Sequence, residues 1–243
     1  MLQLFTTPSG LPVSQVEALV AMVRPNVAQT KFFSKLVELG LVIPGTTTMI
    51  ELGSGMGKPS LHWAALFNSL CIGIELQHEL FLCSLLNTKK VYENAEKNKY
   101  PYPPVSFVNE SIFDIQTLNG FNVAYSFDSL FEGNLIERIA SLLSKSTVQI
   151  LISYRSELEW LGYGLSVHQL ETISMTMTGS NEKRTCSIFR LRPNLGSKGN
   201  ELDHIDPLFR GVFQSHKQGL LVRQNQKIDL SLSCGGMKTR SSK

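Results

Sequence analysis

Two acids and three alternating glycines are the residues of this chain best suited to hold a ligand. They stand in Met49-Ile50-Glu51-Leu52-Gly53-Ser54-Gly55-Met56-Gly57-Lys58 and in Leu70-Cys71-Ile72-Gly73-Ile74-Glu75. Each stretch begins as a short apolar run of strand length. Glycine tolerates φ > 0 and has no Cβ to obstruct an approaching molecule, so the turn over 53–57 presents backbone N–H groups. Pro59 suits the first turn of a following helix, which the pattern carries to about Leu70. A helix that starts behind such a turn faces its free N–H donors toward the ligand. In nucleotide-binding units built this way, the acid closing the second strand accepts hydrogen bonds from ribose hydroxyls, and Glu75 holds that position.

The glycine spacing separates two classes of ligand. A dinucleotide fingerprint reads G-x-G-x-x-G. This chain reads G-x-G-x-G at 53, 55 and 57, with Glu51 two places ahead. That pattern resembles the S-adenosylmethionine loop of Rossmann-like methyltransferases. The resemblance implies S-adenosyl-L-methionine as cofactor, surrounded by Gly53, Ser54, Gly55 and Gly57, with Glu51 toward the ammonium of its methionine end and Glu75 on its ribose. The alternative is a glycine turn in some other α/β protein.

The rest of the chain must position these residues. Apolar spacing at 13, 16, 19, 20 and 23 predicts a helix over Val13 to Val23, ended by Pro25. A second helix runs from Phe32 to Leu41, with Gly40 at its end. These two helices are expected to frame one side of the pocket. A long helix follows from His78 to about Lys99. Strands are expected at Val105–Val108, Asn122–Phe127 and Val148–Ser153, with a helix over Leu135 to Leu143. Leu170 to Thr178 and Arg184 to Leu191 read as a closing hairpin around Gly179-Ser180-Asn181. Alternation of strand and helix implies a Rossmann-like, doubly wound α/β sheet of about seven strands, mostly parallel with an antiparallel closing hairpin.

In such sheets ligands bind beyond the carboxyl ends of the strands, where strand order reverses. Four segments converge there: Glu51 to Gly57; Glu75 with Leu76 and Gln77; Glu110-Ser111-Ile112; and Ser126-Phe127-Asp128-Ser129. Ser111 suits the adenine amino group, and Ile112 suits its face. Methyl transfer depends mainly on positioning and a deprotonated nucleophile. An apolar channel lowers the pKa of a lysine amine. Phe127, Phe131, Tyr154, Trp160 and Tyr163 are candidates for that channel, each set against plain core packing. Phe127, Asp128 and Phe131 are the candidate catalytic residues, although Asp128 equally suits a helix cap. His62, His78 and His168 have no motif partner and read as packing or surface residues.

Several of these features together resemble the disruptor-of-telomeric-silencing family of non-SET histone-lysine methyltransferases. They are Phe32-Phe33-Ser34-Lys35-Leu36, Gly40-Leu41, Pro44-Gly45, the loop from Glu51 to Gly57, and Gly73-Ile74-Glu75. The hairpin from Met175-Thr176-Met177-Thr178-Gly179-Ser180 through Phe189-Arg190 completes the likeness, which spans roughly residues 26–192. It implies methylation of protein lysine, with histone or nucleosome as partner and a nuclear location. Three positions depart from that family. That family's Tyr-Gly-Glu element is missing, with Asn26-Val27-Ala28 lying near its place, and Ser111 replaces its usual Asp. Of its Asn-rich element after strand four, Ser126-Phe127-Asp128-Ser129-Leu130-Phe131 keeps clearly only Phe131. Another acceptor, a small molecule or RNA, therefore stays open, as does a cofactor-binding module with a degenerate site.

Composition sets the outer bounds. The chain has 243 residues, 42% hydrophobic, with a net charge of +3. That length accommodates one sizeable domain with appendages. Three parts are expected: an N-terminal helical segment at 1–45, a cofactor-binding core at 46–193, and a polar, flexible tail at 194–243. The tail holds eight Lys/Arg against four Asp/Glu, and the remainder fifteen against sixteen, so the tail carries the positive excess. It suits weak nucleic-acid contact, weighed against a merely solvated extension. No apolar run is long enough to span a membrane, and no secretory signal is visible at the start. An intracellular location is expected, cytoplasmic unless the histone reading holds. Cys71, Cys83, Cys186 and Cys234 are scattered without C-x-x-C pairing, so no metal is expected.

Overall fold

The computed structural model describes residues 27–176, 183–192, 204–219 and 221. The expected helix at 13–23 and the hairpin tip at 177–182 lie outside them. Five short strands are Met49–Leu52 (β1), Cys71–Ile74 (β2), Val105–Val108 (β3), Val123–Ser126 (β4) and Ile150–Ser153 (β5). All but β3 are buried along their whole length. Continuous apolar runs of this kind belong to parallel strands covered on both faces. Two longer strands, Val167–Thr176 (β6) and Lys183–Leu191 (β7), form the hairpin. The order across the sheet is β3-β2-β1-β4-β5-β7-β6. Pairing is parallel from β3 to β5 and antiparallel from β5 through β7 to β6. This is the expected doubly wound, Rossmann-like architecture with its closing hairpin.

Among the described residues six helices flank the sheet: Val27–Glu38 (α1), Lys58–Phe67 (α2), His78–Asn98 (α3), Gly133–Ser144 (α4), Glu157–Gly162 (α5) and Pro207–Lys217 (α6). Successive strand residues serve opposite cores, following the period of two along a strand. Met49 and Tyr125 pack with Phe33, Trp63 and Phe67 from α1 and α2. Ile50 and Ala124 pack with Ile136, Ile139 and Leu143 from α4. The strand order reverses beside β1, which pairs β2 on one side and β4 on the other. The carboxyl ends of these three strands therefore open onto one crevice.

Two expectations need correction. The segment from 194 is not a uniformly flexible tail, because α6 is an ordered helix on the second core. Phe209 and Phe213 are buried against Phe121, with centroid distances of 5.3 and 5.2 Å. Asp206 caps this helix by accepting from Leu208 N at 2.9 Å. It also accepts from Gln116 N and Thr117 N at 2.6 and 3.1 Å, tying the helix to the loop before β4. Asp-Pro followed by apolar residues at helical spacing is the start signal that the polar surroundings obscured. The second correction concerns α2, which stops at Phe67, short of Leu70. Asn68 adopts the left-handed conformation there, at φ 49°, as Asn tolerates more readily than most residues.

Candidate functional site

The three glycines of the 53–57 turn all have positive φ, at 75°, 53° and 75°, but their surroundings differ. A Cβ on Gly53 would stand 2.6 Å from Phe131 Cζ, and one on Gly57 would overlap the Phe107 ring. A Cβ on Gly55 would meet nothing within 4 Å. Gly53 and Gly57 thus let aromatic side chains press against the turn, whereas Gly55 leaves open space in front of it. We expect Gly57→Ala to cost about 3 kcal/mol, combining left-handed strain with overpacking. Gly55→Ala should cost only about 1 kcal/mol of folding stability, since strain alone applies. Urea unfolding of the two variants checks the contrast.

Glu75 closes β2 and reaches back across the turn. Its Oε2 accepts from Gly55 N at 2.7 Å and its Oε1 from Gln77 N at 2.8 Å. An ionised carboxylate accepts about four hydrogen bonds, so this one retains capacity for a ligand's hydroxyls. Asn109 fixes the ends of β2 and β3 together, donating to Glu75 O at 2.7 Å and Leu76 O at 3.1 Å. His78 bonds the other end of that amide at 2.8 Å. Sequence reasoning missed Asn109, although an Asn directly after a predicted strand is a signal for such a clasp.

These elements enclose a cavity of about 420 Å³ at the strand carboxyl ends, within the usual range for small-molecule sites. The structure brings Gly53, Gly55, Glu75, Leu76, Ser111 and Ile112 together in its wall, with Phe127 and Phe131. Gln77 and Glu110, from the converging segments, line it too, as do Leu80, Phe113, Leu130 and Leu135, which were not singled out from the sequence as site residues. Ser111 Oγ accepts from Phe113 N at 3.2 Å, which holds the loop after β3 over the cavity. No described residue of 27–45 lines it, because Phe32, Phe33 and Leu36 are committed to the first core.

Glu51, Ser54, Gly57 and Asp128 are not in the cavity wall. Glu51 is buried beneath the turn, where its carboxyl group accepts from Ser60 N at 3.0 Å and from the Ser60 hydroxyl. Burial pushes its pKa up to about 8, against the opposing pull of the Ser60 bonds. The carboxyl group clasps β1 to the start of α2. Ser54 is likewise buried, with no partner for its hydroxyl.

Asp128 is fully buried in a short 3-10 turn, Asp128–Leu130. It accepts from Ser153 Oγ at 2.5 Å and Tyr154 N at 2.9 Å, joining the ends of β4 and β5. Burial raises its pKa to about 6, while these bonds and the Arg155 charge pull the other way. Arg155 donates to Asp128 O at 3.2 Å and Phe131 O at 2.8 Å, and pairs with Glu159 at 3.0 Å. Asp128 and Arg155 thus hold the backbone that carries Phe127 and Phe131 into the cavity.

The expected aromatic channel is only partly assembled. Phe127 and Phe131 line the cavity. Tyr154 packs edge-on against Phe127 at 4.7 Å and shares a hydrogen bond with Tyr125 at 3.3 Å. Trp160 is fully buried, its indole N–H donating to Ser153 Oγ at 2.9 Å. Tyr163 packs against the second core. Of the histidines, His62 is buried against Phe33, and burial pushes its pKa down to about 4; His168 is exposed on β6. Cys71 and Cys186 are buried, and burial raises both thiol pKa values. Among the described residues no helix is long and apolar enough to cross a membrane. Nor do three or more His, Cys, Asp or Glu gather there as a metal site would require.

No protein-family model matches the chain, and no curated protein matches it. Among solved structures it is similar to magnesium protoporphyrin IX methyltransferase from Synechocystis PCC 6803 with bound S-adenosylmethionine. That similarity has 15% identity over 74% of this chain and 79% of the other, with a TM-score of 0.46. The N-methyltransferase NodS from Bradyrhizobium japonicum shares 11% identity over 69% and 97% of the two chains, with a TM-score of 0.45. A TehB-like S-adenosylmethionine-dependent methyltransferase from Corynebacterium glutamicum shares 10% over 74% and 96%, with a TM-score of 0.48.

Proposed function

We propose that the protein is an S-adenosylmethionine-dependent methyltransferase. One observation carries this reading: the open Gly55 position and the Glu75 carboxylate share one cavity at the strand-order reversal, with Gly55 N–H bonded to that carboxylate. Glu75 would take the ribose hydroxyls on its remaining lone pairs. Ile112 and the half-exposed Phe113 would cover the adenine, and Gly55 would allow the methionine portion to approach the backbone. When bound, the cofactor supplies an electrophilic methyl group. Phe127 and Phe131 exclude water from the neighbouring space, which favours an uncharged nucleophile. Among the described residues the titratable side chains lining the cavity are Glu75 and Glu110, and these contribute positioning more than proton transfer. Asp128 is a positioning residue in this scheme.

For the acceptor, the reading that fits best is a small molecule or RNA, with protein lysine second. Trp160 and Tyr163 contribute no wall to the cavity, so the enclosed aromatic channel expected for lysine is reduced to Phe127 and Phe131. The rim is open and apolar instead, with Leu130 78% and Phe113 51% exposed. Calorimetric titration with S-adenosylhomocysteine is expected to show one saturable site on the folded protein; absence of any uptake would remove the proposal. Incubation with methyl-labelled cofactor and nucleosomes, total RNA or a small-molecule extract then assigns the acceptor. Label on nucleosomes would restore the lysine reading and the nuclear location that goes with it.

A further inference from the structure

The exposed apolar side chains of this protein are concentrated at one edge. Among the described residues eight large apolar side chains are exposed, and six of them follow the carboxyl ends of parallel strands. They are Met56 after β1, Leu76 after β2, Phe113 after β3, Leu130 after β4, and Leu158 and Leu161 on α5 after β5. Single exposed apolar residues are ordinary, but a group gathered at the mouth of a cavity marks a ligand surface. The two halves of the cavity wall also differ. Its polar side chains, Glu75, Gln77, Glu110 and Ser111, all follow β2 and β3, on the side of the proposed ribose and adenine positions. Phe127, Leu130 and Phe131 after β4, with Leu135 from α4, bring no polar side chain. No Lys, Arg or His lines the cavity among the described residues. Arg155 and Arg184 touch the segment after β4 without lining the cavity. Arg155 donates to the carbonyls of Asp128 and Phe131, and the Arg184 guanidinium lies 5.5 Å from the centroid of the Phe127 ring.

We infer that the methyl acceptor is an uncharged, apolar small molecule, and that its nucleophile is an amine or ring nitrogen. This rests on the methyltransferase reading and narrows it. A phosphate backbone is held chiefly by Lys and Arg, whereas this wall supplies two carboxylates, which argues against RNA. An apolar wall keeps a nitrogen in its neutral, nucleophilic form and disfavours a thiolate or phenolate. In the transfer, the nitrogen lone pair forms a bond to the methyl carbon as the carbon–sulfur bond breaks. That bonding pair stays on sulfur, which becomes a neutral thioether, and the positive charge passes to nitrogen. A ring nitrogen keeps the charge; an amine bearing hydrogen then loses a proton to solvent. Aromatic rings attract such a cation, and Phe127 and Phe131 line that part of the cavity.

The probe is N-phenyl-1-naphthylamine, an uncharged aromatic amine that fluoresces on leaving water. Titrated into the full chain with saturating S-adenosylhomocysteine, it is expected to fill one saturable site. Leu130→Asp should weaken that binding by about tenfold or more, the scale set by burial of one leucine side chain. Leu130→Met should retain it. Leu39→Asp, the same change to an exposed leucine before β1, should leave it unchanged. Thermal unfolding checks that each variant is folded. No saturable fluorescence, equal affinity in folded Leu130→Asp and the native protein, or displacement of the probe by total RNA would overturn the proposal. When quinoline and thiophenol are offered together with methyl-labelled cofactor, label is expected on quinoline; label on thiophenol alone would overturn the choice of nitrogen. Calorimetry with S-adenosylhomocysteine on the same samples separates the two readings. Uptake of that nucleoside without probe binding overturns the acceptor class alone, and no uptake removes the methyltransferase reading on which it rests.

Discussion

Glu75→Ala is expected to weaken S-adenosylhomocysteine binding by about a hundredfold or more. The carboxylate does two things at once in this structure. It holds Gly55 N–H and Gln77 N–H at 2.7 and 2.8 Å, and it is the acid facing the cavity beside the glycine turn. Hydrogen bonds to a charged group contribute roughly 1.5–3 kcal/mol each, and two ribose hydroxyls would be lost together, which sets the hundredfold scale. Glu75→Gln separates the two duties. Its amide oxygen still accepts from one backbone N–H, so the turn stays anchored, while the charge that strengthens the hydroxyl bonds is gone. Its affinity should fall between wild type and alanine. Calorimetry gives the affinities, and thermal unfolding of the free protein reports any loosening of the turn. Wild-type affinity in Glu75→Ala, with the fold intact, would show that the nucleoside is not held at the end of β2.

Glu51→Gln should flatten the dependence of folding stability on pH between about 4.5 and 8. Burial raises the Glu51 pKa to about 8 from an ordinary 4.5. The folded state therefore keeps this proton over a range where the unfolded chain has released it. Stability from the protonated carboxyl is fully present below the unfolded pKa and is lost as pH rises through the folded one. At roughly 1.4 kcal/mol per pKa unit, the loss across that window is on the order of 3–5 kcal/mol. The glutamine side chain has the same shape and keeps an acceptor for Ser60 but cannot ionise, so this component of the slope disappears. Asp128, raised to about 6, adds a smaller slope of the same sign between pH 4 and 6 in both proteins. Urea unfolding at intervals from pH 4.5 to 8.5 gives the two curves. Parallel curves would mean that Glu51 is ionised in the folded protein across the whole range.

Much of this architecture was legible in residue pattern. Fully buried parallel strands have little choice of composition, so the runs at 71–74 and 150–152 stood out as continuous apolar stretches, and 49–52 did so apart from Glu51. Proline and glycine marked the breaks between elements. The hairpin was visible as two β-rich runs around a glycine turn, although β6 begins at Val167, earlier than its pattern indicated. What escaped were short elements whose signals lie in two or three residues. The capping box of Ser156 and Glu159 starts α5, and Asp206-Pro207 starts α6. Neither has the long periodicity that makes a helix obvious, and both are stabilised by the second core instead.

For the site, local sequence determined the turn and the acid beside it. Alternating glycines with positive φ and an acid at the end of the next strand are constraints acting over a few residues, and they survive any packing. Tertiary structure decided which side chains face the cavity. Glu51 and Asp128 look like site acids in the sequence, yet each is turned inward to a serine and a backbone N–H, because a buried carboxyl must find hydrogen-bond donors wherever the fold supplies them. Phe127 and Phe131 reach the cavity because Asp128 and Arg155 hold the segment between them. At the amino ends of the strands, α6 brings Phe213 and His216 beside Asn119 and Asn122 from more than ninety positions away in the chain. Spacing along a chain specifies a turn; which distant groups meet across it depends on how the helices pack.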